Sequence, residues 1–397
     1  MKTAENCHAK ETSMPVSFRQ TRDRSLISHE PNVLSSQENQ CLSSGAKVGL
    51  KPPVLLVGNF LSSFVIGERH VCEDLAAHLA ASHWTVLTTS EKTGRIARLI
   101  DMLRTVWSRR KEYTVAQVDV YSGNAFVWAE AVCKILSWIR KPYILTLHGG
   151  NLPAFAKRWP QRVCRLLRSA DAVTTPSRYL LESMAHYRPD LRLLHNPLDL
   201  SSHRFRLRDR PQPRLVWIRA FHHIYNPMLA VRVLALLAAD FPDFELIMVG
   251  PDKRDGSLQA LQKLARELGL SDRIVLKSGV PRDEVPHWLN KADIFLNTTH
   301  TDNAPVSVLE AMACGLCVVS TNVGGIPYLL EDEQDAILVL PNNPEAMANA
   351  VRRILAEPGL ATHLSKNARQ KAEQFAWSNI LPKWELLLTL AVNGIAD

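Results

Sequence analysis

The sequence predicts an α/β protein of two doubly wound, parallel-sheet domains facing a central cleft. Three observations carry the prediction: short apolar runs, longer stretches of helical spacing between them, and a proline-marked seam near the middle of the chain. The runs are Val54 to Val57, Thr85 to Leu87, Val118 to Tyr121, Tyr143 to Leu147, Ala172 to Thr174 and Leu191 to Leu194. A second series runs through Leu215 to Ile218, Glu245 to Val249, Ile274 to Leu276, Ile294 to Leu296, Cys317 to Ser320 and Ile337 to Leu340. Strands that are apolar along their whole length are buried on both faces, as happens when helices cover a parallel sheet on each side. Pro211 and Pro213 divide the series, so residues 51–200 form a first domain and 201–375 a second. Residues 376–397 are expected to form a helix that packs back toward the first domain. Residues 1–50, rich in Ser, Gln and Asn with no sustained apolar period, are expected to be a disordered leader.

Length and composition agree with two globular domains. A chain of 397 residues exceeds what one core usually serves, and 46% hydrophobic with 22% charged residues is the balance of a soluble protein. The net charge of +8 is unevenly spread: residues 51–200 hold 20 Lys and Arg against 12 Asp and Glu, whereas residues 201–397 hold 21 against 22. The first domain therefore carries the basicity, which suits an anionic partner or a merely solvated face. Seven cysteines, scattered and odd in number, imply reduced thiols and no disulfide framework. Cys314 and Cys317 form a single C-x-x-C with no second pair to complete a zinc site, so they are expected to be small core residues. No run approaches the ~18 apolar residues of a membrane span, and no apolar secretory segment opens the chain. The expected location is cytoplasmic, with contact at the inner face of the membrane as an open extension.

In doubly wound sheets ligands bind beyond the carboxyl ends of the strands, so the loops that follow strands are the places to look for chemistry. The most informative one follows Leu296: Asp302, Asn303, Ala304 and Pro305, then Val306 to Gly315. Pro305 suits the first position of a short helix and Gly315 the position past its end, which predicts a helix from Pro305 to Cys314. Its free N–H groups near Val306 and Ser307 would favour a phosphate. Asp302 before the helix and Glu310 within it place carboxylates on either side of that anion site, ready to accept hydroxyl groups of a ribose and of a sugar. A helix-capping Asp and a solvated Glu would give the same spacing without any ligand.

The segment resembles the E-x7-E region of the family 4 glycosyltransferases, retaining enzymes of the GT-B fold with two Rossmann-like domains, with Asp302 where the first Glu usually stands. Other motifs of that family recur in order: the Gly58 loop, His148-Gly149-Gly150, Thr175-Pro176-Ser177, Asn196-Pro197-Leu198-Asp199, Val249-Gly250-Pro251, Gly279-Val280-Pro281 and Gly324-Gly325-Ile326-Pro327. The resemblance covers residues 53 to about 380. It implies a retaining transfer of sugar from a UDP- or GDP-sugar to a saccharide or lipid-linked acceptor, in polysaccharide or glycolipid synthesis. It implies further that Glu310 binds the donor ribose and Asp302 the transferred sugar, with His148 near the reacting carbon. Asn303, Ala304, Pro305 and Val306 would line the diphosphate and sugar, Val280 would lie by the base, and Gly58 by the donor. Arg219 stands where the family carries an Arg for the leaving diphosphate. The Lys that usually follows is replaced in the stretch His222, His223, Ile224, Tyr225, Asn226, similar to a subset of the family, which makes Asn226 a donor-site candidate. A catalytically silent relative, or a nucleotide-sugar epimerase of the same fold, stays open beside the transferase.

No cofactor and no metal are expected: backbone amides, the helix dipole and Arg219 would stabilise the leaving diphosphate. His222, His223 and His300 are expected to be ordinary polar loop residues. In the first domain, Arg95, Arg98, Arg104, Arg109, Arg110 and Lys111 accompany Ile96, Leu99, Ile100, Leu103, Val106 and Trp107, an apolar set at helical spacing. Lys157, Arg158, Arg162, Arg165 and Arg168 supply a second basic stretch. An ordinary helix packing its apolar face on the sheet and a peripheral contact with anionic membrane both fit this pattern. Nucleic acid is not expected as a partner, since no binding motif interleaves aromatic and basic residues.

Overall fold

The computed structural model describes residues 51–61 and 71–394. The expected disordered leader lies outside the described residues. Two six-stranded sheets account for all twelve apolar runs. The first contains β1 (Val54–Val57), β2 (Val86–Thr89), β3 (Val115–Val120), β4 (Tyr143–Leu147), β5 (Ala172–Thr175) and β6 (Arg192–Leu193), in the order β2-β1-β3-β4-β5-β6. Its helices are α1 (Val71–Ala81), α2 (Arg95–Ser108), α3 (Ala125–Trp138), α4 (Leu152–Arg158), α5 (Pro160–Arg168) and α6 (Arg178–Met184). The second contains β7 (Arg214–Ile218), β8 (Glu245–Val249), β9 (Ile274–Lys277), β10 (Ile294–Asn297), β11 (Cys317–Thr321) and β12 (Ile337–Val339), in the order β12-β11-β10-β7-β8-β9. Around it lie α7 (Pro227–Leu237), α8 (Ser257–Glu267), α9 (Val285–Asn290), α10 (Val306–Ala313), α11 (Ile326–Leu329), α12 (Pro344–Ala356) and α13 (Leu360–Glu373).

Every pairing is parallel. The strand order reverses between β1 and β3 in the first sheet and between β7 and β10 in the second. At such a reversal the connecting helices leave toward opposite faces, which opens a crevice beyond the strand ends. The two crevices hold the residues discussed below.

The last helix, α14 (Trp377–Asn393), belongs by packing to the first domain. Its Trp377, Ile380, Trp384 and Leu388 join Val54, Leu56, Leu75 and Leu79 in one buried cluster. The indole N–H of Trp84 donates to Glu385 at 3.0 Å, Lys51 pairs with the same carboxylate at 2.5 Å, and His78 stacks on Trp377 with centroids 3.8 Å apart. The chain returns to the first domain beside the place where it left: Leu198 N–H donates to Phe375 at 2.7 Å and Trp377 N–H donates to Leu198 at 3.3 Å. Gly394, at φ 69°, ends the helix in the left-handed conformation that a residue without Cβ adopts without strain.

Two expectations need correction. The helix after Leu296 starts at Val306, not Pro305. Pro305 is its N-cap, with extended backbone at φ −70° and ψ 112°, so it sets the entry of the chain and not the first helical turn. The apolar set of α2 does not form one buried face. Met102 and Val106 are buried, but Ile96 is 77% exposed, Ile100 59% and Trp107 40%. An ordinary helix with all its apolar positions packed on the sheet is thereby ruled out. Cys72, Cys133, Cys164, Cys314 and Cys317 are free thiols, and Cys314 and Cys317 are buried where α10 gives way to β11.

Candidate active site

At the reversal of the second sheet, the loop after β10 and the loop after β7 face one another. The first leads into α10, whose opening N–H groups, of Val306 and Ser307, have no intrahelical acceptor. The Ser307 hydroxyl is buried at the same turn and has no hydrogen-bond partner among the described residues. A buried hydroxyl without a partner costs about 1–3 kcal/mol, so a ligand oxygen at this place would recover that loss. Glu310 lies one turn further along and is 6% exposed. Asp302 accepts from the Asn303 N–H at 2.8 Å and pairs with Arg219 from the opposite loop. The Arg219 guanidinium lies over the Tyr225 ring at 4.5 Å, and burial lowers its pKa without discharging it.

Glycines hold this loop in place by letting backbones approach. A Cβ on Gly324 would stand 2.3 Å from the Asp302 carbonyl oxygen, and one on Gly325 only 1.8 Å from that of Asn303. The Gly325 N–H in turn donates to Asp302 O at 2.9 Å. The Gly-Gly pair of the sequence is therefore a seat for the Asp302–Asn303 backbone.

At the reversal of the first sheet, His148 follows β4. Its Nε2 donates to Asp119 Oδ1 at 3.0 Å, and its ring stacks on Tyr121 with centroids 5.0 Å apart. Burial pushes the Asp119 carboxyl up, but His148, Gln117 and the Cys72 thiol outweigh it and hold the group below its usual range. Because Asp119 accepts, the His148 proton is fixed on Nε2 and Nδ1 is left as an acceptor. Gly58 closes the far side: a Cβ there would meet Asp119 Oδ2 at 2.7 Å and Cys72 Sγ at 2.9 Å. Beside this group is a cavity of about 320 Å³ lined by Gly58, Arg98, Asp119, Tyr121 and Trp128 among others. Arg98 reaches into this region, donating to Asn59 Oδ1 at 2.8 Å and to the Lys92 carbonyl at 2.7 Å.

Contacts across the cleft join the two crevices. Asn303 accepts from the Ser177 hydroxyl, which also caps α6, and Asn196 donates to the Ala304 carbonyl at 3.4 Å. Arg282, after β9, reaches Asp74 of α1 at 3.1 Å and lies 3.6 Å from Glu310. Tyr328 of α11 donates to Glu182 of α6 at 2.9 Å. His148, Asp302, Asn303, Ala304, Pro305, Val306, Arg219, Glu310 and Gly58 thus lie on the two loop systems that face the cleft. Val280 packs half-buried against the core of the second domain after β9.

Asn226 follows Tyr225 on the loop after β7. Its amide donates to Asn342 at 3.1 Å at the entry of α7, and Tyr225 takes the place beside Arg219. His222 and His223 gather with Asp255, at 3.8 and 3.0 Å. The Ile224 N–H donates to His222 Nδ1, which leaves Nε2 on the side of Asp255. The N–H groups of His223 and Ser257 hold the Asp255 carboxyl well below its usual range against the opposing effect of burial. Sequence reasoning missed Asp119, Arg282 and Tyr225. Asp119 carried a signal, a charged residue inside an apolar strand; Arg282 carried none, because its partners lie 208 and 28 residues away (282 − 74 and 310 − 282).

Residues 201–371 match the family described as glycosyl transferases group 1, and residues 68–202 match glycosyltransferase family 4. Together the two matches run through both domains. The chain belongs to the family 4 glycosyltransferases. Among its curated relatives, the D-inositol 3-phosphate glycosyltransferase of Thermobispora bispora is 22% identical over 81% of each chain. The GDP-mannose-dependent alpha-(1-6)-phosphatidylinositol monomannoside mannosyltransferase of Mycolicibacterium smegmatis is 29% identical over 54% of this chain and 60% of its own. For the D-inositol 3-phosphate glycosyltransferase of Streptomyces bingchenggensis, 34% identity covers 30% of this chain and 26% of the relative. The matched segments span between about a quarter and two fifths of the first relatives' length. Among solved structures, Anabaena Alr3699/HepE in complex with UDP and glucose superposes with a TM-score of 0.69 at 16% identity, over 85% of this chain and 99% of that one. Sucrose-phosphate synthase of Thermosynechococcus elongatus gives 0.70 at 19%, over 86% and 99%. The shared architecture is the GT-B fold, and this family 4 chain keeps both of its crevices.

Proposed function

We propose that the protein is a retaining glycosyltransferase that moves a sugar from a nucleoside-diphosphate donor to a saccharide or lipid-linked acceptor. The observation that carries this reading is the start of α10: unused N–H groups and a buried, unpartnered Ser307 hydroxyl, flanked by Asp302 and Glu310 and faced by Arg219. A diphosphate there would meet the helix dipole, the hydroxyl and the guanidinium, while Glu310 would accept from the ribose and Asp302 from the sugar. Arg219 would leave Asp302 for the leaving diphosphate as charge develops on it. His148, with its proton held on Nε2 by Asp119, would offer Nδ1 to a hydroxyl near the reacting carbon. The leaving phosphate itself would take the acceptor's proton, on the same face of the sugar as the departing bond.

Related proteins whose names or structures include GDP-mannose, UDP and glucose support a sugar nucleotide as donor. The acceptor would enter the first-domain cavity of about 320 Å³, and a lipid-linked one would reach it from an anionic membrane facing the basic domain. We infer that no divalent ion takes part, because Arg219 and α10 already supply positive field to the phosphates. The test is incubation with a panel of UDP- and GDP-sugars, with and without EDTA. Sugar carried from a donor onto an added saccharide or lipid-linked acceptor, in the presence of chelator, is the expected result. Every donor binding but none consumed would favour a catalytically silent binder, a reading motivated by the missing Lys after Arg219. An epimerised or freed sugar, with no need for an acceptor, would mark the same fold used for other chemistry.

A further inference from the structure

The helix pair α2 and α3 has two working faces. Its inner face supplies Arg98, Met102, Trp128 and Val132 to the wall of the first-domain cavity. Its outer face is apolar where solvent would be expected: Ile96 is 77% exposed, Ile100 59%, Trp107 40%, Val127 43% and Trp138 74%. The two indoles stack across the helices, centroids 5.0 Å apart and planes within 13°. Scattered exposed apolar side chains need no explanation, but a contiguous stripe with paired tryptophans does. A basic rim surrounds it: Arg95, Arg104 and Lys134 are exposed, and Arg110 lies over the Trp107 ring at 4.4 Å. The acidic side chains on α2 and just after it are few, namely the half-buried Asp101 and Glu112, which Arg109 pairs at 2.5 Å.

We propose that this face of α2 and α3 is a docking surface for an anionic lipid bilayer, with the two tryptophans and Ile96 and Ile100 lying in the headgroup layer. Indoles favour that layer because one edge is apolar and the other donates a hydrogen bond, while arginines around them meet the phosphates. Charge complementarity selects this partner over a neutral apolar one. The opposite side of the same two helices is the cavity wall, so docking sets the cavity one helix diameter from the lipid, where a membrane-anchored acceptor has a short way in. The purpose of the surface rests on the transferase reading. The binding does not, and it is measured without a donor.

The experiment is co-sedimentation of the full chain with phosphatidylcholine vesicles and with mixed phosphatidylcholine–phosphatidylglycerol vesicles, at low and at high salt. The mixed vesicles should retain the protein, the neutral ones much less, and salt should release it. Arg104→Glu with Arg110→Glu should weaken retention by about 25-fold or more, from about fivefold for each charge removed. Ile100→Glu with Trp138→Glu should weaken it about tenfold or more at either salt. Ile100, Arg104 and Trp138 are exposed and Arg110 is half-buried over an exposed indole, so circular dichroism and donor-nucleotide binding should stay as in the wild type, which separates a failure here from a failure of the transferase reading. Equal retention of the wild type on neutral and anionic vesicles, or undiminished retention of both double variants, would overturn the proposal. So would a wild-type dimer in sedimentation velocity that becomes monomeric on Ile100→Glu with Trp138→Glu, since the stripe would then belong to a second copy.

Discussion

Asp119 near the end of β3 and Glu310 in the middle of α10 both carry buried carboxylates, yet they answer to different partners. Asp119 is satisfied within its own domain by His148 and Gln117, whereas Glu310 has the long approach of Arg282 and an open turn of helix beside it. Glu310→Ala should therefore weaken nucleoside-diphosphate binding by about 1.5–3 kcal/mol, on the order of 10- to 100-fold, in titration calorimetry. Unchanged affinity would remove Glu310 from the donor site. For Asp119 the folded carboxyl titrates below its unfolded value of about 4, so its contribution to stability is present above that pH and is lost as pH falls through the folded value. Asp119→Asn should flatten the acid limb of thermal stability against pH while lowering transfer, because His148 loses the charged, acceptor-only partner that fixes its proton, and an amide can present its N–H2 to the ring instead. A variant with the wild-type acid limb would show that the pair is not what holds the carboxyl.

Much of the fold was legible because parallel strands are apolar on both faces, and the misjudged boundaries have a common cause. β3 begins at Val115, three residues before the expected start at Val118, since Gln117 and Asp119 interrupt its apolar run. Those two polar residues are the ones turned toward His148, so the site itself blurred the pattern. The start of α10 with Asp302 and Glu310 was visible in the spacing. The cross-cleft partners of Asn303 and Glu310 were not, because no local pattern encodes which distant loops meet. The exposed half of α2 was equally hidden, since helical periodicity finds an apolar stripe without saying whether protein or solvent faces it.

At the scale of elements, two features bear most weight. The Gly324–Gly325 pair seats the donor loop, and Gly325→Ala would press a methyl group into the Asn303 carbonyl. The loop would have to shift, so donor binding should fall sharply while far-UV circular dichroism stays the same; retained binding would show that the loop has slack. The other is α14, whose Trp384 is 5% exposed in the first-domain core. Trp384→Ala should cost about 3–5 kcal/mol of stability, read as a lower midpoint in denaturant melts. A loss below about 1 kcal/mol would mean that the helix is an ornament on that domain and not part of its core.

For the whole molecule, the cleft is held shut by a small set of polar struts: Arg282 to Asp74, Tyr328 to Glu182 and Ser177 to Asn303. The Arg282 and Tyr328 struts are partly exposed and each is weak singly, while the single Ser177–Asn303 hydrogen bond is buried, so the closed state is held lightly enough for substrates to enter. Arg282→Ala combined with Tyr328→Phe should enlarge the radius of gyration in small-angle scattering, and saturating nucleoside diphosphate should shrink it again. No change without ligand would place the closing force elsewhere.

The return of α14 to the first domain also orders the birth of the protein. A ribosome adding about 5–20 residues per second needs roughly 10–40 seconds to travel from the seam near residue 200 to the end of that helix. Throughout that interval the hydrophobic groove that Trp377, Ile380 and Trp384 will fill stands open on a nascent domain. Maturation of the N-terminal half is thus timed by a segment translated nearly two hundred residues later, and a message cut short before residue 376 would yield a chain whose first half lacks its lid and is a ready client for chaperones.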